Sequence, residues 1–263
     1  VGFGVYIWNL TQTTELVALL KRLRPEIRIV LGGPEVSHEY RELPIVAAAD
    51  YLITGPADLA FADLCRRLLG GERPCSKVVE AVPPAPAQIA LPYDFYDDRD
   101  LAHRVLYVEA SRGCPFRCEF CLSALDQRVL PFDRERFLAA LQALFGRGAR
   151  RFKFVDRTFN LRIDDCLAIL EFFLARLEPG LFLHFELIPD RLPRRLKAAI
   201  ARFPPGSLQF EVGVQSFNPE VQARIGRRQD NAKSADNLRW LSRESGAHVH
   251  ADLIAGLPGE DLA

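Results

Sequence analysis

Apolar residues recur along the chain in two alternating rhythms. Short runs such as GFGVYIW (2–8), IRIVLGG (27–33) and YLITG (51–55) are nearly continuous, as buried strands are. Between them, TTELVALLKRLRP (13–25) predicts a helix with Leu16, Leu20 and Leu23 on one face and Pro25 past its end. DLAFADLCRRLL (58–69) predicts a second helix. Repeated β–α units of this kind imply a parallel, doubly wound sheet, here only in part.

The rhythm then breaks. Pro74, Pro83, Pro84, Pro86 and Pro92 interrupt any regular element, so residues 71–99 are expected to be a Pro-rich linker between a first domain (1–70) and a second (100–263). In the second, larger units return. Strands are expected at 104–110, 151–156, 181–187, 207–214 and 247–254, with helices near 133–146, 163–177, 191–202 and 231–245. Five strands alternating with helices predict an α/β fold, part of a β/α barrel. Chemistry in such barrels sits where strands end and loops begin. At those ends the sequence places Cys114, Asp156, Glu186, Gln215 and Asp252. Each could cap a turn or satisfy buried backbone, but packing alone does not account for five such groups at one rim.

Half of the six cysteines fall within GCPFRCEFC (113–121), spaced C-x3-C-x2-C. A disulfide, a zinc site, chance, or an iron–sulfur cluster could explain the spacing. A structural zinc site usually takes four ligands, often as two C-x2-C pairs, and no histidine lies in this loop. A cubane cluster is soft and thiolate-bound, and a short loop can wrap it. Three thiolates would hold three irons and leave the fourth with an open position.

This loop, with Phe120 just before the last cysteine and placed after the first strand of a β/α barrel, resembles that of the radical S-adenosylmethionine superfamily. The segments FEVGVQSFNPEVQARIGR (210–227) and ADLIAGLPGE (251–260) resemble the fourth- and fifth-strand motifs of its branch containing oxygen-independent coproporphyrinogen oxidase, anaerobic tetrapyrrole cyclases and the cobalamin-type enzymes. The resemblance implies a 4Fe-4S cluster on Cys114, Cys118 and Cys121. Its open iron would bind the amine and carboxylate of S-adenosylmethionine, and one electron would cleave the cofactor to a 5′-deoxyadenosyl radical. By position, Phe120 would offer its backbone to the adenine. VDRTFN (155–160) lacks the family's common Gly-Gly-Glu form, leaving Asp156 and Thr158 as candidate contacts. Glu186, Gln215 and Asp252 would face the methionyl or ribose groups.

VLGGPEVS (30–37) followed by YLITGPADLAF (51–61) resembles the cobalamin-binding domain that precedes many such enzymes. There Gly32 and Gly33 would let the backbone approach the corrin or its tail. The Asp-x-His-x-x-Gly loop that supplies a lower cobalt ligand is absent, and GPADLAF replaces the usual acidic turn. The implied reaction is methyl transfer to a small or medium metabolite. The alternatives are a cyclase or oxidative tetrapyrrole-type reaction without methyl transfer, and a non-catalytic cluster-binding regulator. A flavodoxin- or ferredoxin-type electron donor is the implied partner.

Composition narrows the setting. Lys plus Arg and Asp plus Glu are equal at 34 each, which gives no electrostatic case for nucleic acid or anionic membrane. No apolar run reaches the ~20 residues of a membrane span. Scattered cysteines in a chain of this size fit a reducing, cytoplasmic setting. A start at Val1, the absence of methionine and a stop at GLPGEDLA lead us to expect a fragment cut at both ends.

Overall fold

The apolar runs become strands shorter than their sequence patterns. A computed structural model describes residues 1–125 and 127–260, which divide into two units, Val1–Ile89 and Ala90 onward. The first unit runs β1 (Gly2–Gly4), α1 (Leu10–Leu23), β2 (Val30–Gly32), α2 (Pro44–Ala48), β3 (Tyr51–Thr54), α3 (Asp58–Leu69) and β4 (Val78–Glu80). Its strands lie in the order β1-β2-β3-β4, all parallel, around a core that includes Val17, Ile29, Leu31, Ile45 and Leu52.

Three expectations for this unit need correction. β1 stops at Gly4 because β2 offers only three residues to pair with. The chain then turns, with Asn9 Oδ1 accepting from Tyr6 N at 2.8 Å and Asn9 Nδ2 donating to Gly4 O at 3.0 Å. Tyr6, Ile7 and Trp8 are left exposed, the two aromatic rings stacked 4.6 Å apart. Helix α1 turns Thr13 and Val17 inward, whereas Leu16 and Leu23 face solvent; apolar residues on several sides made its leucine face a poor guide. The third correction is β4, which lies inside residues 71–99, the stretch expected to be a linker. Val78 pairs with Leu52 of β3. Pro74 and Pro83 flank this run without entering it, so the ladder loses no N–H.

The second unit runs α4 (Asp98–His103), β5 (Leu106–Val108), β6 (Ser111–Arg112), β7 (Leu130–Pro131), α5 (Arg134–Gly146), β8 (Arg151–Phe154), α6 (Ile163–Leu174), β9 (Phe182–Leu187), α7 (Arg194–Ile200), β10 (Leu208–Gln215), α8 (Pro219–Arg224), α9 (Asn231–Glu244) and β11 (His248–Leu253). Its large sheet has the order β11-β10-β9-β8-β5, all parallel, an arc of a β/α barrel. Capping carboxylates fix several helix starts: Asp133 accepts from Arg136 N, and Asp230 from Lys233 N. Along β10, Leu208, Phe210, Val212 and Val214 are buried, while Gln209, Glu211, Gly213 and Gln215 alternate onto the other face. An aromatic cluster fills the core. Phe154 packs 4.5 Å from Phe185, which stacks 4.0 Å from Phe159 in the loop after β8. The core thus holds the loops at the carboxyl ends of the strands. Among the described residues no helix is long and apolar enough to cross a membrane.

Candidate functional site

The cysteine loop leaves β5 and is closed at its base by the antiparallel pair β6–β7, which joins Ser111 to Pro131 and Arg112 to Leu130. Gly113 starts the loop at φ 98°, with the backbone passing so close to Arg128 that a Cβ would stand 1.9 Å from its carbonyl oxygen. Only glycine fits there. Inside the loop Cys121 N donates to Cys118 O at 2.9 Å, and Glu119 N donates to Ile225 O, just past α8, at 3.0 Å. Cys118 is buried, and Cys114 and Cys121 are half-buried. Burial pushes the Cys114 thiol up, with the neighbouring Cys121 and Cys118 adding to it.

All three cysteines line one cavity of about 440 Å³. Phe120, Thr158, Glu186, Gln215 and Asp252 line the same cavity, so loops or ends of β5, β8, β9, β10 and β11 converge on it. Phe120 is 45% exposed, its ring free of the core. Thr158 is buried, and its Oγ1 has no hydrogen-bond partner, an orphan polar atom on a cavity wall. Burial pushes the Glu186 carboxyl up, opposed by the Arg157 guanidinium 3.4 Å away. Gln215 has φ 70°, uncommon for a residue with a side chain, at a register shift where β10 pairs with β11. Such irregularities re-aim a side chain at the end of a strand.

Asp156 departs from its expected place. It is 2% exposed and does not line this cavity. Its carboxylate accepts from Ala110 N at 2.9 Å and from Ser111 Oγ at 2.7 Å, clamping the entry to the cysteine loop to the end of β8. Burial raises its pKa to about 6 against those two hydrogen bonds. Asp156 therefore supports the loop from behind.

Gly32 and Gly33 stand at the carboxyl edge of the first unit's sheet. Gly33, at φ 110°, is required by its own chain: a Cβ would lie 2.4 Å from Val5 O and 2.7 Å from Val5 N. A Cβ at Gly32 would meet nothing closer than 3.7 Å. Gly33 is thus explained without a ligand, whereas the chain's own packing does not require glycine at position 32. Ser37 braces the same edge, donating to Gly33 O at 2.8 Å and accepting from Gly55 N at 3.1 Å.

Several side chains at the cavity escaped the sequence. Arg227 and Arg157 line it, as does Glu211, which meets buried His184 at 3.1 Å. Arg227 ends the quoted 210–227 motif, so its position was readable though its contacts were not. Asn160, fully buried, accepts from Ile188 N at 2.7 Å and donates to Ile188 O and Arg191 O, tying the loops after β8 and β9 together. No spacing rule announces such a tie.

The donor set fits an iron–sulfur cluster. Three thiols line one cavity, a soft, thiolate donor set of the kind that iron–sulfur clusters take. The sequence profile of the Radical SAM superfamily matches residues 108–263. The chain belongs to this superfamily. The cofactors of the family are a 4Fe-4S cluster and S-adenosylmethionine.

An uncharacterized methyltransferase of Pyrococcus horikoshii is 26% identical over 270 residues, covering 92% of this chain and 57% of that protein. The cobalamin-dependent radical SAM methyltransferase TokK of Streptomyces tokunonensis is 24% identical over 307 residues, covering 98% of this chain and 42% of that protein. The solved structure of the radical S-adenosylmethionine methyltransferase TsrM from Kitasatospora setae, with cobalamin and a 4Fe-4S cluster bound, superposes with a TM-score of 0.71 at 17% identity, covering 96% of this chain and 54% of that one. That last likeness is one of fold. The chain spans about half the length of these relatives.

Proposed function

We propose that the chain is the catalytic part of a cobalamin-dependent radical S-adenosylmethionine methyltransferase acting on a small or medium metabolite. The observation that carries this is the single cavity shared by Cys114, Cys118 and Cys121 with Thr158, Glu186, Gln215 and Asp252. The three cysteines hold the cluster. When bound, the cluster supplies the electron that cleaves S-adenosylmethionine to a 5′-deoxyadenosyl radical. The remaining work belongs to the chain. Arg157, Arg227 and Arg228 line the cavity and would offer positive charge to the cofactor's carboxylate. Glu186, Gln215 and Asp252 accept or donate hydrogen bonds to its amine and ribose hydroxyls, Thr158 Oγ1 takes up its missing bond, and the Phe120 backbone faces the adenine. Asp156 contributes by holding the loop.

Cobalamin is assigned to the first unit on its exposed aromatic pair rather than on its glycines. Tyr6 and Trp8 stack at the carboxyl edge of a doubly wound sheet, where such folds take ligands, and offer a flat apolar face for a macrocycle. TokK is a cobalamin-dependent methyltransferase and the TsrM structure holds cobalamin, and both matches span this unit. A low-potential carrier of flavodoxin or ferredoxin type supplies the electron. The resemblance of 210–227 and 251–260 to the coproporphyrinogen oxidase branch favours, as a second reading, a ring-forming or oxidative reaction without methyl transfer.

The test uses the full-length protein, reconstituted anaerobically with iron, sulfide and cobalamin and given S-adenosylmethionine carrying a labelled methyl group. Release of 5′-deoxyadenosine together with transfer of label to protein-bound cobalamin is expected. Cleavage with no label on cobalamin would leave the second reading in its place.

A further inference from the structure

Arg227 lies in the loop after α8 and reaches back to two elements of the site. Its Nη1 stands 3.7 Å from Cys118 Sγ, its Nη2 donates to Gly213 O on β10, and its Nε donates to Gln229 Oε1 at 3.0 Å. The guanidinium is thus held from three sides. Two other arginines near the loop are electrically compensated: Arg112 forms a two-pronged pair with Glu109, and Arg157 pairs with Glu186. Among the described residues no carboxylate pairs with Arg227. An uncompensated, half-buried cation therefore touches the most buried of the three cysteine sulfurs.

We infer that Arg227 sets the reduction potential of the cluster, its fixed guanidinium stabilising the reduced state through Cys118. This rests on the cluster assignment to Cys114, Cys118 and Cys121 made above. Reduction takes one electron from an external one-electron donor, adds it to the cluster core and forms no covalent bond, so the cluster becomes more negative by one charge. A cation beside a ligand sulfur lowers the energy of that more negative state, and a hydrogen bond to the sulfur acts in the same direction. Cys118 is 7% exposed, which limits screening on the sulfur side of the pair. Arg227 is a positioning and tuning residue in this role, acting through the sulfur it touches.

The experiment is a redox titration of the full-length, anaerobically reconstituted protein without S-adenosylmethionine, followed by electron paramagnetic resonance. Arg227→Gln removes the charge and is expected to shift the reduction equilibrium at least tenfold toward the oxidised cluster, which is ~59 mV more negative for a one-electron couple. Arg227→Lys keeps the charge but loses the fork, and should fall between Arg227→Gln and the wild type. An anchor that merely held the loop would lower the iron content of Arg227→Gln without moving the potential of the clusters that form. An unchanged potential in Arg227→Gln, or equal shifts in both variants, overturns the inference. If neither variant takes up iron, wild-type protein labelled with 15N-arginine decides. A 15N coupling to the reduced cluster is expected in pulsed resonance spectra, and its absence overturns the inference. A wild type that holds no cluster would instead refute the functional assignment on which this rests.

Discussion

Replacing Asp156 by asparagine should stabilise the second unit at neutral pH, and the gain should vanish in acid. The carboxyl is 2% exposed, and burial lifts its pKa from 3.8 to about 6 despite the bonds from Ser111 Oγ and Ala110 N. Between those two values the folded protein keeps a proton that the unfolded chain releases. The group's contribution is therefore fully present below pH 3.8 and lost as pH rises through about 6. A shift of roughly two units at 1.36 kcal/mol each amounts to ~3 kcal/mol. Asparagine never ionises, its Oδ1 can accept from Ala110 N, and its Nδ2 can donate to Ser111 Oγ, so both bonds survive. Relative to wild type, Asp156→Asn should gain roughly 3 kcal/mol between pH 4 and pH 8. Urea unfolding measures this in a Trp8→Phe background, where Trp240 is left as the sole tryptophan and reports on the second unit. A difference between the two proteins that stays flat from pH 4 to pH 8 would refute the burial argument. Asp156→Ala strands both donors instead and should cost about 1–3 kcal/mol.

The other expectations concern the loops. Cys114→Ala, Cys118→Ala and Cys121→Ala should each abolish 5′-deoxyadenosine release under strong reductant, whereas Cys65→Ala and Cys166→Ala retain it; equal loss from a remote cysteine would reassign the ligands. Gly113→Ala forces a Cβ onto the Arg128 carbonyl oxygen at a positive φ, costing at least ~1–2 kcal/mol in backbone strain alone, and iron content after reconstitution should drop well below wild type. In the first unit Trp8→Ala should weaken cobalamin uptake with little change in melting temperature, because the side chain is 72% exposed. Gly33→Leu should instead lower the melting temperature whether or not cobalamin is present, since it drives a side chain into the Val5 backbone. Normal melting of Gly33→Leu with selective loss of cobalamin would restore a ligand role to the glycine turn.

The sequence carried the fold where periodicity is strong. The alternation in LQFEVGVQ becomes the buried and cavity faces of β10, and the Asp133 and Asp230 caps begin helices close to their expected starts. Legibility failed where pairing partners, rather than local pattern, decide the outcome. β1 is cut short by the length of β2, and β4 exists because β3 has a free edge for Val78–Glu80. The cysteine loop was legible because three cysteines at short spacing stand out in the sequence, and the structure brings all three to one cavity. Glu186, Gln215 and Asp252 were legible because strand ends in a β/α barrel share a rim. Asp156 misled because a polar residue at that rim can face the cavity or the back of a loop, and only packing chooses. Arg227 and Asn160 act through contacts between residues far apart in the chain, which no local pattern records.

In the proposed site Cys114, Cys118 and Cys121 hold a cluster with an open iron that faces the cofactor cavity. The most direct measurement is the electron paramagnetic resonance spectrum of the reduced, anaerobically reconstituted full-length protein, before and after S-adenosylmethionine is added. A 4Fe-4S signal that changes when the cofactor binds, and that disappears in Cys118→Ala, is the result predicted. A signal indifferent to S-adenosylmethionine, or protein that takes up zinc in a four-sulfur site and no iron, would contradict it.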